Sequence, residues 1–335
     1  MPRSNSLRDL VPGAPGAGAV GRLSRRAARR FQHDIWNIGI VHQTAADIVR
    51  RGIVSTPRWL SPLPPGRYLA DPAHRAHADG SCRLFAEHFD HGGSGSGEIW
   101  CADLQRGEDL SLAVFRPLLT FPHHASYPFP IHDGSGRRLM TAETWQTGAA
   151  LLWEDGEPPQ RVGTILSGHA LVDPTLWRHE GLWFLFCCLE THNPQDGLFV
   201  FHGPSLTGPW EPHPCNPVRR GLIGSRPAGP LFRADGKLIR PGQDCSREYG
   251  GAVILHEVTR LDRETYAEVP LRRLDPCRGR YDAGLHTICP AGDVTLIDGK
   301  SWRSGIGTRL RRVGRRLQAT TRAKGLRWPG WRFGA

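Results

Sequence analysis

A repeated unit is the feature that most constrains how this chain of 335 residues can fold. Four segments share one order of features: a motif ending in proline, an apolar stretch, a turn with glycine, and a second apolar stretch ending in an acid or amide. From the proline to that final residue, each segment spans 15 or 16 residues. The opening motifs are Ala70-Asp71-Pro72, Ser126-Tyr127-Pro128, Val172-Asp173-Pro174 and Ser225-Arg226-Pro227, with a weaker fifth at Gly284-Leu285-His286-Thr287.

The turns inside these units predict β-hairpins. Asp-Gly between two apolar stretches is the strongest short hairpin signal, and it occurs at 79–80, 133–134 and 235–236. Strand-like stretches follow each hairpin, so that each unit holds three or four strands. Five such units predict an all-β fold, a five-bladed β-propeller, rather than a β-helix, whose repeats are much shorter. The early apolar stretch 35–41 is expected to supply the outer strand that closes the ring.

The charge of the chain is concentrated at its two ends. The net charge is +11, but residues 1–30 carry +6 and residues 301–335 carry +10, so that the body carries −5. A mildly acidic body is a poor binder of phosphate backbones, which argues against a nucleic-acid partner. We therefore predict a basic, disordered tail at 1–30, a propeller at 31–300 and a basic amphipathic tail at 301–335.

The C-terminal tail has the pattern of a helix that lies on a membrane. Ile306, Leu310, Val313 and Leu317 fall on one helical face and arginines crowd the others, which is typical of binding to an anionic membrane surface. A helix docked on the propeller or a disordered tail are the alternatives. The eight cysteines form no CxxC pair and no secretory segment opens the chain, which predicts a cytoplasmic protein, peripheral to the inner face of the membrane.

The repeat brings polar residues to one axis, because the first strand of each propeller blade lines the central channel. Acids that recur at one phase of a repeat, in a cleft, indicate a functional site. Two carboxyl groups across a sugar ring are what glycosidic-bond chemistry requires, and a third tunes the pKa of the proton donor. The opening motifs contribute Asp71, Tyr127, Asp173, Arg226 and His286, and the second strands end in Glu87, Glu143, Glu190 and Asp244.

Each of these residues also has a structural interpretation. Asp71 and Asp173 precede proline and could cap turns, the glutamates could be strand-end partners of arginines, and His286 could be a core histidine. Arg226, Arg240 and Arg247 flank a polar stretch and suit a phosphate or carboxylate on a substrate, although local salt bridges are the alternative. We predict substrate contacts from Tyr127, Glu87, Asp244 and these three arginines.

Several motifs resemble a known family. They are Leu69-Ala70-Asp71-Pro72, the stretch 172–177, Ser225-Arg226-Pro227-Ala228-Gly229, the stretch 243–251 and Gly284-Leu285-His286-Thr287. Across roughly residues 35–300, the chain resembles the N-terminal domain of glucosamine inositolphosphorylceramide transferases. More distantly it resembles the five-bladed furanosidase superfamily. The resemblance implies a five-bladed propeller and carbohydrate chemistry, without the separate glycosyltransferase domain of the plant proteins.

The furanosidase resemblance also implies roles for individual residues. Asp71 corresponds to the nucleophile or general base and Glu190 to the proton donor, with Glu143 as the rival donor. Asp173 is the expected tuner, although it opens the third unit whereas furanosidases keep that acid in the second. Some furanosidases hold a hydrated metal ion at a histidine of blade five, which corresponds to His286.

Three functions remain open from the sequence. The first is an enzyme that hydrolyses or transfers a glycosidic bond of a sugar or glycolipid. The second is a non-catalytic sugar- or glycolipid-binding module that serves a partner glycosyltransferase. The third is a protein-interaction propeller, which predicts an apolar rather than an acidic funnel.

Overall fold

The computed structural model describes residues 32–304 of the chain. Residues 35–301 form one compact unit, and residues 1–34 with 302–335 form another, of which only the ends of two strands are described. The basic tails predicted from the sequence, including the helical face at 306–317, lie outside the described residues. No helix in the described part of the chain is long and apolar enough to cross a membrane.

Five antiparallel sheets of four or five strands make up this unit, which confirms the predicted five-bladed propeller. Blade 1 contains β3 (Arg67–Ala76), β4 (Cys82–Asp90), β5 (Gly97–Leu104) and β6 (Arg116–Leu119). Blade 2 contains β7 (Ser126–Ile131), β8 (Leu139–Glu143), β9 (Ala149–Glu154) and β10 (Gln160–Ser167). Blade 3 contains β11 (Leu171–His179), β12 (Leu182–Leu189), β13 (Gly197–Gly203), β14 (Glu211–Pro212) and β15 (Arg219–Arg220).

The last two blades are less regular. Blade 4 contains β16 (Ile223–Pro227), β17 (Phe232–Ala234), β18 (Lys237–Asp244), β19 (Ala252–Leu261) and β20 (Tyr266–Leu274). Blade 5 contains β21 (Ile288–Ala291), β22 (Val294–Ser304), β1 (Gln32–Val41) and β2 (Arg58–Trp59), in that order from the inside. The described residues hold one α-helix, α1 (Ala45–Arg51), which Thr44 caps, and 3-10 turns at Leu110–Leu112 and Trp145–Thr147.

The first and last parts of the described chain together form blade 5 and close the ring. The prediction that residues 35–41 supply the outer strand is wrong. The stretch 35–41 lies in β1, the third strand of blade 5, and β2 is the outermost strand. After β1 the chain turns through α1 and returns, so that Gly39 pairs with Trp59 in antiparallel register. A strand this apolar is covered on its outer edge rather than left open.

The opening motifs form β-bulges within the innermost strands. Each of the strands β3, β7 and β11 shifts its register with the next strand of its blade. The shifts occur across Asp71, Tyr127 and Asp173, respectively. These three residues have φ values of 51°, 46° and 51°, a left-handed conformation that is uncommon for residues other than glycine. A bulge re-aims side chains and frees a backbone amide from the strand ladder. The repeat therefore fixes, at each motif, the direction of one side chain and the position of one backbone amide that is free of the strand ladder.

Apolar clusters hold neighbouring blades together. Leu139 and Leu152 of blade 2 pack in one buried cluster with Leu171 and Leu185 of blade 3. A close approach between blades 4 and 5 requires glycine at position 229, where φ is 115° and a Cβ would lie 1.9 Å from the Ile288 carbonyl oxygen. This packing fixes the innermost strands around the axis and so positions the site.

Candidate functional site

Asp71 sits where blades 1, 2 and 5 meet. It is buried, and its Oδ1 accepts a hydrogen bond from the Thr287 hydroxyl at 2.8 Å. Its Oδ2 accepts the backbone N–H of Tyr127 at 3.3 Å. His286 Nε2 lies 3.3 Å from Oδ1. One carboxylate of blade 1 is thus bound by the opening motifs of the two adjacent blades.

Asp298 and His286 extend this group within blade 5. Asp298 Oδ1 accepts the backbone N–H groups of His286 and Thr287, both at 3.0 Å. Its Oδ2 accepts the backbone N–H of Asp71 at 3.1 Å and lies 2.6 Å from His286 Nδ1. The ring of Trp36 covers His286 at a centroid distance of 4.0 Å. The imidazole therefore lies between two carboxylates, with little access to water.

A second acidic group joins blades 2, 3 and 4. Glu143 Oε2 accepts the backbone N–H of Asp173 at 3.0 Å. Arg226 donates to Asp173 Oδ2 at 2.7 Å and to Oδ1 at 3.3 Å, and approaches Glu143 to 3.9 Å. Its guanidinium carbon also lies 5.0 Å from the centroid of the Tyr249 ring. One arginine thus faces two carboxyl groups and an aromatic ring.

Tyr127 connects the blades across the channel. The Gly229 N–H of blade 4 donates to the Tyr127 hydroxyl oxygen at 3.0 Å. That hydroxyl lies 2.8 Å from Thr175 Oγ1, which in turn donates to the Asp173 carbonyl at 3.1 Å. Its backbone amide binds Asp71, as above. Because its own polar atoms bind other residues of the chain, Tyr127 acts as a cross-link between the two acidic groups.

Burial and charge perturb the acids. Burial, aided by the carboxylates of Asp298 and Asp173 and opposed by His286, raises the pKa of Asp71 from 3.8 to about 6. Burial and the adjacent Asp173 carboxylate raise the pKa of Glu143 well above its ordinary value. Burial alone would lower the pKa of His286, but Asp298 and Asp71 raise it overall. Both carboxyl groups are therefore harder to ionise than the same side chains in water, and Asp71 is still largely ionised at neutral pH.

The other predicted site residues lie outside these two groups. Glu190 follows the end of β12 and is exposed. Glu87 is buried and lies 3.8 Å from the half-buried His124. Arg247 is exposed on the loop after β18. The ion pairs Arg240–Glu268 and Asp244–Arg273 each join β18 to β20, across the strand between them in blade 4.

Some residues of the site were missed from the sequence. Asp298 lies within the second strand of the weak fifth unit, β22, at the phase where the other units carry an acid, so that the repeat itself could have identified it. Thr287 follows the predicted His286 directly. Tyr249 and Gln243, whose amide lies 3.5 Å from Asp173 Oδ2, belong to the stretch 243–251 that carries the family resemblance, but they were not singled out as site residues.

The residues around His286 do not fit a resident metal ion. Asp71, His286 and Asp298 each offer an atom within 4.8 Å of the others. However, the oxygens of Asp298 already accept three backbone amides and face the imidazole, and those of Asp71 accept Thr287 and Tyr127. Both nitrogens of His286 face carboxylates rather than open space. An ion there would have to displace these contacts.

Comparison with known families identifies the domain. The profile described as "Glucosamine inositolphosphorylceramide transferase 1, N-terminal" matches residues 108–282, just over half of the chain. A protein named glucosamine inositolphosphorylceramide transferase 1 from Oryza sativa subsp. japonica is 33% identical in an alignment of 203 residues that covers 56% of this chain and 27% of that protein. The protein of the same name from Arabidopsis thaliana is 31% identical over 153 residues, 44% of this chain and 20% of that protein. The chain thus spans about a quarter of the length of these relatives.

Solved structures of glycoside hydrolases are similar at low identity. Zg3597, a family 117 glycoside hydrolase from Zobellia galactanivorans, is 12% identical with a TM-score of 0.47, over 72% of this chain and 88% of that one. An exo-beta-1,3-galactanase from Phanerochaete chrysosporium is 12% identical with a TM-score of 0.47, over 65% of this chain and 58% of that one. Likenesses at this level carry no argument about chemistry.

Proposed function

Because this chain belongs to the family of the N-terminal domain of glucosamine inositolphosphorylceramide transferase 1, we propose that it acts on a glycosidic bond of a sugar or glycolipid. The observation that carries the proposal is that two buried carboxyl groups with raised pKa values, Glu143 and Asp71, lie around one axis. A donor and an acceptor of protons with separated pKa values are what cleavage or transfer of a glycosidic bond requires.

Glu143 is the proton donor in this proposal. Its pKa is raised well above the ordinary value, because burial and the Asp173 carboxylate both disfavour ionisation, which suits a group that must donate a proton. As the leaving group departs, the proton of Glu143 moves to the glycosidic oxygen. Arg226, 3.9 Å from Glu143, stabilises the carboxylate that results. Glu190, the alternative donor, is exposed to solvent.

Asp71 is the base or nucleophile. Its pKa of about 6 leaves it largely ionised at neutral pH, yet basic enough to take a proton from water or from an acceptor hydroxyl. His286 and Thr287 orient the carboxylate through contacts with Oδ1. The acid Asp173 is the tuner, because its carboxylate raises the pKa of Glu143.

A second function, a non-catalytic sugar-binding module, is favoured by one specific observation. The carboxylates of Asp71 and Asp173 are buried and already bind backbone amides, hydroxyls or Arg226. Such groups also stabilise the bulges of the opening motifs, whether or not they do chemistry. In that case the domain would present sugar to a partner glycosyltransferase.

Amide substitutions separate the two functions. We expect Asp71→Asn and Glu143→Gln to slow turnover of activated glycosides or candidate glycolipids by about 10²–10⁴-fold while sugar binding is retained. Asp173→Asn should shift the alkaline limb of the pH–rate profile, because it removes the charge beside Glu143. Glu190→Gln is the matched control, because this glutamate is exposed. Sugar binding without turnover on every substrate would favour the binding module, and full activity of Asp71→Asn would refute the mechanism.

We also propose that the basic ends recruit the protein to an anionic membrane surface, where a membrane-linked glycosyltransferase would be its partner. The support is the charge of the sequence, +10 over residues 301–335 and +6 over residues 1–30. Flotation with anionic liposomes tests it. Unchanged flotation after removal of residues 305–335 would refute a role for the C-terminal part.

A further inference from the structure

The central channel contains a cavity that the acidic groups do not explain. Its volume is about 460 Å³, within the range of small-molecule sites. Residues from the innermost segments of all five blades line it, from Asp71 at one end to Ala76 along β3. Five residues of a strand at ~3.3 Å each give the channel a length of about 17 Å.

The walls of this cavity are predominantly apolar. Few polar side chains of the described residues reach it, and those at its inner end are bound within the protein: Asp71 by Thr287 and the Tyr127 amide, and Tyr127 by Gly229. A polar ligand would therefore find few free hydrogen-bond donors or acceptors at the inner end of the cavity. The aliphatic and aromatic lining includes Phe129, Ile131, Leu176, Trp183, Leu231 and Phe232.

The outer part of the cavity is different, because its lining includes a charged side chain. Arg178 is exposed, and the hydrogen bond that it makes is to the Asp133 carbonyl at 3.3 Å. The nearby imidazoles of His74 and His132 are neutral at pH 7, because burial lowers the pKa of each, that of His74 to about 4. Arg178 is thus the positive charge of the lining.

We propose that this channel binds a single-chain amphiphile with an anionic head, such as a fatty acid. The aliphatic chain occupies the apolar channel below Tyr127, and the head accepts hydrogen bonds from Arg178. This binding site lies further along the propeller axis than the two acidic groups. The proposal that it binds an amphiphile does not depend on the proposed function. Glu143 and Arg226 do not line it, so that ligand binding here and glycosidic chemistry can be tested separately.

Calorimetric titration of the full chain with sodium dodecanoate, below its micelle concentration, tests the proposal. We expect saturable binding of one molecule per chain. Each buried methylene strengthens binding about fourfold, so octanoate should bind on the order of a hundredfold more weakly. Dodecyltrimethylammonium, which has a similar chain and the opposite charge, should bind at least tenfold more weakly than dodecanoate.

Variants locate the site. Ala76→Phe narrows the channel from its exposed rim and should reduce dodecanoate affinity at least tenfold, whereas Ala78→Phe, in the adjacent exposed turn, should not. Arg178→Met should weaken binding about tenfold, and Arg233→Met, an exposed arginine outside the lining, is its control. Glu143→Gln should leave dodecanoate binding unchanged. Non-saturable binding, or equal affinity in Ala76→Phe and Ala78→Phe, would overturn the proposal.

Discussion

Replacing Asp71 by asparagine should remove a specific pH dependence from the stability of the propeller. Asp71 is buried, and its pKa rises from 3.8 to about 6 on folding. A group whose pKa is raised in the folded state favours folding below its unfolded pKa. That contribution is lost as the pH rises through the folded pKa. The wild type should therefore lose stability relative to Asp71→Asn between pH 3.8 and pH values above 6.

The magnitude follows from the size of the shift. A change of about two pKa units corresponds to about 3 kcal/mol in the free energy of unfolding, of which about 2 kcal/mol falls between pH 4.5 and 7.5. Asparagine stays neutral over this range and retains an oxygen that can accept from Thr287 or the Tyr127 amide. The difference in unfolding free energy between Asp71→Asn and wild type should thus grow by about 2 kcal/mol.

Urea unfolding of both proteins at pH 4.5, 5.5, 6.5 and 7.5, followed by tryptophan fluorescence, measures this difference. Subtracting the two curves cancels the titration of all groups that do not interact with Asp71. Glu190→Gln, which replaces an exposed acid, is the control for loss of a carboxylate outside the site. A difference of the opposite slope would mean that His286 outweighs burial and lowers the pKa of Asp71, and the reasoning would fail.

Three further predictions test the packing and the site. Gly229→Ala should destabilise the protein by several kcal/mol, because a Cβ has no room there and φ is 115°; thermal unfolding would measure the loss. Asp155→Asn should cost about 3–5 kcal/mol in urea unfolding, because it breaks a fully buried ion pair with two arginines. Extensive dialysis against EDTA should leave the melting temperature and any activity unchanged, because both nitrogens of His286 already face carboxylates; a loss restored by Ca²⁺ would contradict this.

The repeat predicted the fold because it is a regular signal at five positions. It also brought Asp71, Tyr127 and Asp173 to the channel, since the opening motif has one phase in each blade. The conformation of these residues was not predictable: a positive φ at a residue before proline depends on the carboxylates that bind the freed amide. Those acceptors, such as Asp298 for Asp71, come from the preceding blade and are far away in sequence.

The acids at the ends of the second strands were harder to interpret from the sequence than the residues of the opening motifs. Glu143 and Glu190 occupy the same position of the repeat, yet one is buried and the other exposed. The difference arises because Glu190 falls one residue beyond β12, at a turn, whereas Glu143 is the last residue of β8. Likewise, the partner of Arg240 is Glu268, two strands away in blade 4, which spacing within the repeat cannot reveal.

The closure of blade 5 has a consequence for how the protein is made. Its inner two strands and outer two strands come from opposite ends of the described chain, with roughly 250 residues between β1 and β22. During synthesis, β1 leaves the ribosome early. It remains without its partner β22 until the other four blades have been translated. Bringing such distant segments together is entropically costly and slow. Until then the nascent chain exposes an edge that can pair with other chains, so that the yield of native protein in the cell should depend on how quickly translation is completed, or on a chaperone that covers β1.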